Sequence, residues 1–110
     1  MYVATDENDA RDAAMHARQT LQIVGALKSG TAEFTDHFAA APPGMVTPSI
    51  DDVLRDTMIG SPERIARLIQ EDVEVLGLEQ LSCFMQFGSM SRERIKGSMK
   101  RFMTDVVPLL

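Results

Sequence analysis

Between Thr57 and Val106 two short apolar runs alternate with two well-signalled helices, and that order constrains the fold more than any other feature. Thr57-Met58-Ile59-Gly60 reads as a very short strand. Ser61-Pro62-Glu63 then opens a helix: a serine able to cap, a proline at the first helical position and an acid in the first turn. Ile65, Leu68, Ile69, Val73 and Leu76 recur at helical spacing as its buried face, and Gly77 closes it. Leu81 to Phe87 is apolar on both parities, which predicts a strand covered on both faces. Gly88-Ser89 turns the chain, Ser91 caps the last helix, and Ile95, Met99, Phe102, Met103 and Val106 form its stripe before Pro108 stops it. Strand, helix, strand, helix is the order of a parallel α/β protein.

The first half is less regular. Thr5-Asp6-Glu7 starts a helix, the Thr5 hydroxyl as capping acceptor and acids after it, expected over about Glu7–Leu27 with Ala10, Ala13, Ala14, Ala17, Leu21 and Val24 on one stripe and Gly30 beyond its end. A stripe so rich in alanine predicts close approach to its neighbour. Ala39-Ala40-Ala41-Pro42-Pro43-Gly44 cannot sustain a regular element, so residues 31–56 read as an irregular connection. Short helical turns are expected around Glu33–Phe38 and Ser49–Asp56. The organisation is thus a helix over 1–30, a connection over 31–56 and a βαβα run over 57–110.

With 45% hydrophobic and 25% charged residues, the chain reads as a globular protein with one modest core. A net charge of −5 argues against a nucleic-acid partner. The one basic cluster, Arg92, Arg94, Lys96, Lys100 and Arg101, reads as a solvated helix face. No run approaches a membrane span, and the acidic start is unlike a secretory signal, so a cytoplasmic location without membrane contact is expected.

Several pieces, in order, resemble the C-terminal end of luciferase-like flavin-dependent monooxygenases. They are Tyr2-Val3-Ala4-Thr5-Asp6-Glu7, Ile59-Gly60-Ser61-Pro62-Glu63-Arg64-Ile65, Leu76-Gly77, Met85-Gln86-Phe87-Gly88-Ser89-Met90, Ser98-Met99-Lys100-Arg101-Phe102 and Val106-Val107-Pro108. Ser89 departs from the second glycine that many relatives carry, and Ser91 from their frequent proline. The resemblance implies the C-terminal part of a TIM-type (β/α)8 barrel, helix-rich with two short parallel strands. It also implies reduced FMN as cofactor, oxygenation of an organic substrate with dioxygen, and a flavin reductase as electron source. A complete barrel takes about 250 residues, so 110 residues supply only the last units. The chain is expected not to be catalytic alone, and to need a homo-oligomer or a partner chain to complete its sheet. The other reading is a non-catalytic assembly or binding module derived from that family.

Candidate site residues follow from strand ends. Gly60 and Ser61 stand where a barrel helix opens at the active-site end, able to meet flavin phosphate or substrate, while the plainer role of Ser61 is an N-cap. Gln86 shares a strand face with Phe84, opposite Cys83, Met85 and Phe87, and its amide could meet a flavin or substrate carbonyl. His16 reads as exposed, and His37 beside Asp36 lacks a nucleophile or metal partner. Cys83, the single cysteine, reads as a small buried hydrophobe. No catalytic residue is identified, and no metal cluster, glycine-rich phosphate loop or Ser/His/Asp spacing is visible.

Overall fold

The structure, a computed structural model, describes residues 1–110. It is a helix-rich α/β arrangement with few, short strands. Strand β1 (Tyr2–Val3) leads into helix α1 (Glu7–Ser29), a hairpin of β2 (Glu33–Thr35) and β3 (Phe38–Ala40), and helix α2 (Ile50–Asp56). Strand β4 (Ile59–Gly60), helix α3 (Pro62–Leu76) and helix α4 (Arg92–Arg101) follow, and a π-helical turn over Phe102–Val106 and a 3-10 turn end the chain. No helix is long and apolar enough to cross a membrane.

The helix ends obey the sequence signals, except that α1 is capped by Asp6 and not by the Thr5 hydroxyl before it. Asp6, Ser49, Ser61 and Ser91 each accept the N–H three residues on, and Ser49 with Asp52 completes a capping box. Gly30 and Gly77 adopt the left-handed conformation that closes α1 and α3.

The strands differ from expectation. β4 pairs in parallel with β1, Tyr2 opposite Ile59 and Val3 opposite Gly60. The partner of β4 is therefore Tyr2–Val3 at the start of the chain, whereas the expected strand at Leu81–Phe87 forms no ladder. Its side chains still alternate, with Met85 and Phe87 buried and Phe84 and Gln86 exposed, so the backbone is extended without a strand partner. The expected helical turn at Glu33–Phe38 is instead an antiparallel hairpin. Phe34, Thr35 and Phe38 favour extended backbone, and Asp36 takes the positive φ of 56° that turns the chain.

Both faces of the small parallel sheet are covered. On one, Tyr2 and Ile59 meet the alanine stripe of α1, Val53 of α2 and Phe87. On the other, Val3 packs with Ile65, Ala66, Ile69 and Val106. Alanine brings α1 close, as its composition implied, and Ala13 and Ala14 are fully buried. Two expected core stripes run past this small target. Val73 and Leu76 of α3 are exposed, because a helix of 15 residues is about 22 Å long and overhangs strands of two residues. Leu21 and Val24 on α1 overhang in the same way. Met99 and Met103 are exposed rather than core: α4 turns Ile95 and Ser98 inward, and the wider π turn rotates Met103 out while carrying Val106 in.

Gly88 ends the extended segment against α1. Its φ is +59°, and a Cβ there would lie 2.6 Å from the His16 carbonyl oxygen, so glycine is required on both counts.

Candidate functional site

The outer edges of the sheet are closed by side chains. Successive N–H groups of a strand point to opposite sides. Those of Tyr2 and Ala4 donate to the carbonyls of Met58 and Gly60, while Val3 faces outward. Its N–H donates to the buried Ser98 Oγ at 2.8 Å, and its carbonyl accepts from Arg101 at 2.7 and 2.9 Å. At the other edge the Ile59 carbonyl accepts from Arg64 Nε at 3.3 Å. Arg64 also reaches the Leu54 carbonyl, and its side chain lies over Gly60, where a Cβ would stand 2.7 Å from Arg64 Cδ.

A charged network ties α4 to this core. Arg94 donates to Asp9 at 2.6 Å and to Asp12, and lies 5.6 Å from the Tyr2 ring centroid, a cation–π distance. Asp9 also accepts from the Tyr2 hydroxyl and the Thr5 N–H. Burial pulls the Asp9 carboxyl up, but its bonds to Thr5, Arg94 and Tyr2 outweigh that and hold it below the usual carboxylate range. Burial foremost pushes the Tyr2 hydroxyl up, helped by Asp9 and opposed by Arg94. Arg94 and Arg101 are thus turned inward, not part of a solvated face. Asp9 carried a readable signal: it precedes the buried Ala13 by one helical turn and so sits at the border of the apolar stripe.

The sequence-derived candidates separate into two places. Gly60 and Ser61 line a cleft of about 510 Å³ at the C-terminal ends of β1 and β4, between the first turns of α1 and α3. Ser61 Oγ accepts the Arg64 N–H at 3.3 Å, the plain N-cap role. The Ser61 hydroxyl beside Glu63 holds that carboxyl below its usual range. Asp6, Glu7 and Glu63 surround the cleft, and its one cation, Arg64, is engaged with backbone carbonyls. The cleft is therefore acidic, and it opposes a phosphate. Gln86 lies elsewhere, in a depression of about 410 Å³ shared with Arg92 and Lys96. Its amide faces outward beside two cations rather than into a covered interior.

His16 is half-buried, not exposed: its Nδ1 lies 3.2 Å from Ser89 Oγ. Its Nε2 is 3.8 Å from Asp12, too far for a hydrogen bond, and Asp12 is already held by Arg94. The trio makes no relay. His37 is exposed on the hairpin turn, and Cys83 is half-buried in the extended segment.

Against known proteins, 52 residues of the chain, or 47% of it, are 35% identical to part of the alkanal monooxygenase alpha chain of Aliivibrio fischeri. The likeness is partial. The matched stretch covers 14% of that relative, so the chain spans only a small share of its length. No family model matches, and no solved structure does. The comparison supports a relation to a luciferase-type monooxygenase subunit and nothing narrower.

Proposed function

We propose that the chain is a C-terminal portion of a flavin-dependent, luciferase-like monooxygenase of the TIM-barrel type. It would contribute to the site for reduced FMN and an organic substrate without being catalytic alone. One structural observation carries the reading. Two parallel strands, joined through a crossover that includes α1, end together at a cleft flanked by helix N-termini, the position at which α/β proteins place their sites. The partial identity to an alkanal monooxygenase subunit supports it. Bound reduced flavin supplies the electrons for dioxygen activation. The residues of this chain would position and shield. Gly60 and Ser61 shape the rim, Arg64 keeps that rim closed through two carbonyls, and Gln86 offers an amide to a ring carbonyl. The missing strands come from a second copy or a partner chain, with a flavin reductase as electron source.

The second reading is a non-catalytic assembly or binding module of the same descent. It is favoured by the helices on both sheet faces and by the side chains closing its edges. Flavin fluorescence and sedimentation velocity on one sample separate the two. The first reading expects FMN quenching, association beyond a monomer, and no oxygenation of an alkanal by the chain alone with flavin reductase. A monodisperse monomer with affinity for neither FMN nor riboflavin would leave only the module.

A further inference from the structure

The two depressions that hold the candidate residues differ in charge, and an anion sorts between them. Beside Gln86, Arg92 and Lys96 stand one turn apart on α4, over a floor of Met90, Ile95 and Met99. Neither cation makes a salt bridge, as Arg18, Lys28 and Lys100 make none, but these two line one depression, whereas Arg11, Arg55, Arg67, Arg94 and Arg101 are all paired. Like charges at this spacing repel on an isolated helix. Arg92 also occupies the first position of α4, at the positive end of the dipole, where a cation is disfavoured and Glu93 is the one acid in the turn. Two cations without a salt bridge and an amide therefore line one depression with an apolar floor in a chain whose net charge is −5. Nothing in the fold uses that charge.

We propose that the depression formed by Gln86, Arg92 and Lys96 binds a phosphomonoester whose apolar or aromatic body lies against Met90, Ile95 and Met99. Arg92 offers a planar fork of donors to the phosphate and Lys96 a point charge, which leaves the Gln86 amide at the edge of the depression for a carbonyl of the body. The acidic Gly60–Ser61 cleft is then left for an uncharged part of a ligand. Only the identity of the body as flavin rests on the proposed function; the anion site does not.

FMN and riboflavin differ by the phosphate alone, so the full chain is titrated with each, and with phenyl phosphate and phenol, at low ionic strength. The expected result is FMN bound about tenfold or more tightly than riboflavin, with the preference lost in Arg92→Ala/Lys96→Ala. Both side chains are exposed and alanine suits a helix, so circular dichroism should confirm that the variant is folded. Lys100→Ala, which removes an equal charge outside the depression, should leave the preference intact. Phenyl phosphate bound through Arg92 and Lys96 while neither flavin binds upholds the anion site and removes the flavin reading. Equal affinity for FMN and riboflavin, phosphate-dependent binding that survives the double substitution, or no binding of phenyl phosphate overturns the site.

Discussion

Two stretches carry strand-like sequence, and only the weaker becomes a strand. Ile59–Gly60 is two residues long and ends in a glycine, yet it makes a parallel ladder with β1. Leu81–Phe87 is longer and more apolar, yet beside β1 it makes only side-chain packing of Phe87 on Tyr2 and one bond from the Met1 ammonium to the Phe84 carbonyl at 2.7 Å. At the next outward rung, Val3, the position is taken by Ser98 and Arg101 of α4. Both stretches turn apolar side chains inward, Ile59 in one and Met85 and Phe87 in the other, while Leu81 and Phe84 stay exposed. Strand formation needs a neighbour with free backbone donors and acceptors, and α4 has filled that place with side chains.

The largest test of this contrast is Ile59→Ala. Ile59 is 2% exposed and packs against α1, Val53 and Phe87 in the main apolar cluster, so its loss should lower stability by about 3 kcal/mol. Urea denaturation measures it. A loss below about 1 kcal/mol would mean that the ladder does not organise the core.

Next in size is the network that holds α4 against β1. The folded-state acidity of Asp9 lies below its unfolded value. Its stabilisation is therefore complete above the ordinary carboxylate range near pH 4 and is lost as pH falls through the folded value. Asp9→Asn should remove about 2 kcal/mol at neutral pH, with the gap to the parent chain closing in acid. Denaturant midpoints across pH 2–7 read this directly, and a gap that persists unchanged at low pH would show that the Asp9 charge is not what holds α4.

Ser98→Ala is the smaller edge test. It leaves the outward N–H of Val3 buried without its acceptor, at a loss of about 1–2 kcal/mol. Faster exchange of the Val3 amide should accompany it, since exchange reports local opening. An unchanged exchange rate would mean that α4 does not seal this edge through Ser98.

Local grammar was legible in the sequence because it depends on near neighbours. Caps at Ser49, Ser61 and Ser91, the glycine ends at Gly30 and Gly77, and the alanine stripe of α1 all stand where the residues place them. Partnership was not. Nothing in Tyr2-Val3 marks it as the strand that would claim Ile59-Gly60 across a long separation, and nothing within Leu81–Phe87 tells that α4 would occupy its edge. The basic cluster on α4 divides for the same reason. Arg94 and Arg101 have acids of α1 within reach, whereas Arg92 and Lys96 point away from them. Helical spacing fixed their angular positions but not what lay opposite. Of the candidate residues, Gly60 and Ser61 share one cleft, and Gln86 belongs to another because its segment stays unpaired.

The smallest effect is expected at Phe84. Its side chain is 72% exposed, on the outward face of the unpaired stretch, so Phe84→Ala in the isolated chain should change stability by less than about 0.5 kcal/mol. An aromatic ring held in water on an extended segment returns nothing to the monomer, and its removal should raise solubility. The outcome changes if another chain covers that face. At concentrations where the protein associates, the same substitution should weaken association, because the ring then belongs to a buried surface. Sedimentation velocity at two concentrations, with parent and variant side by side, separates these states. A variant that loses stability as a dilute monomer would mean that Leu81–Phe87 is already packed on both faces, and the distinction between the two stretches would disappear.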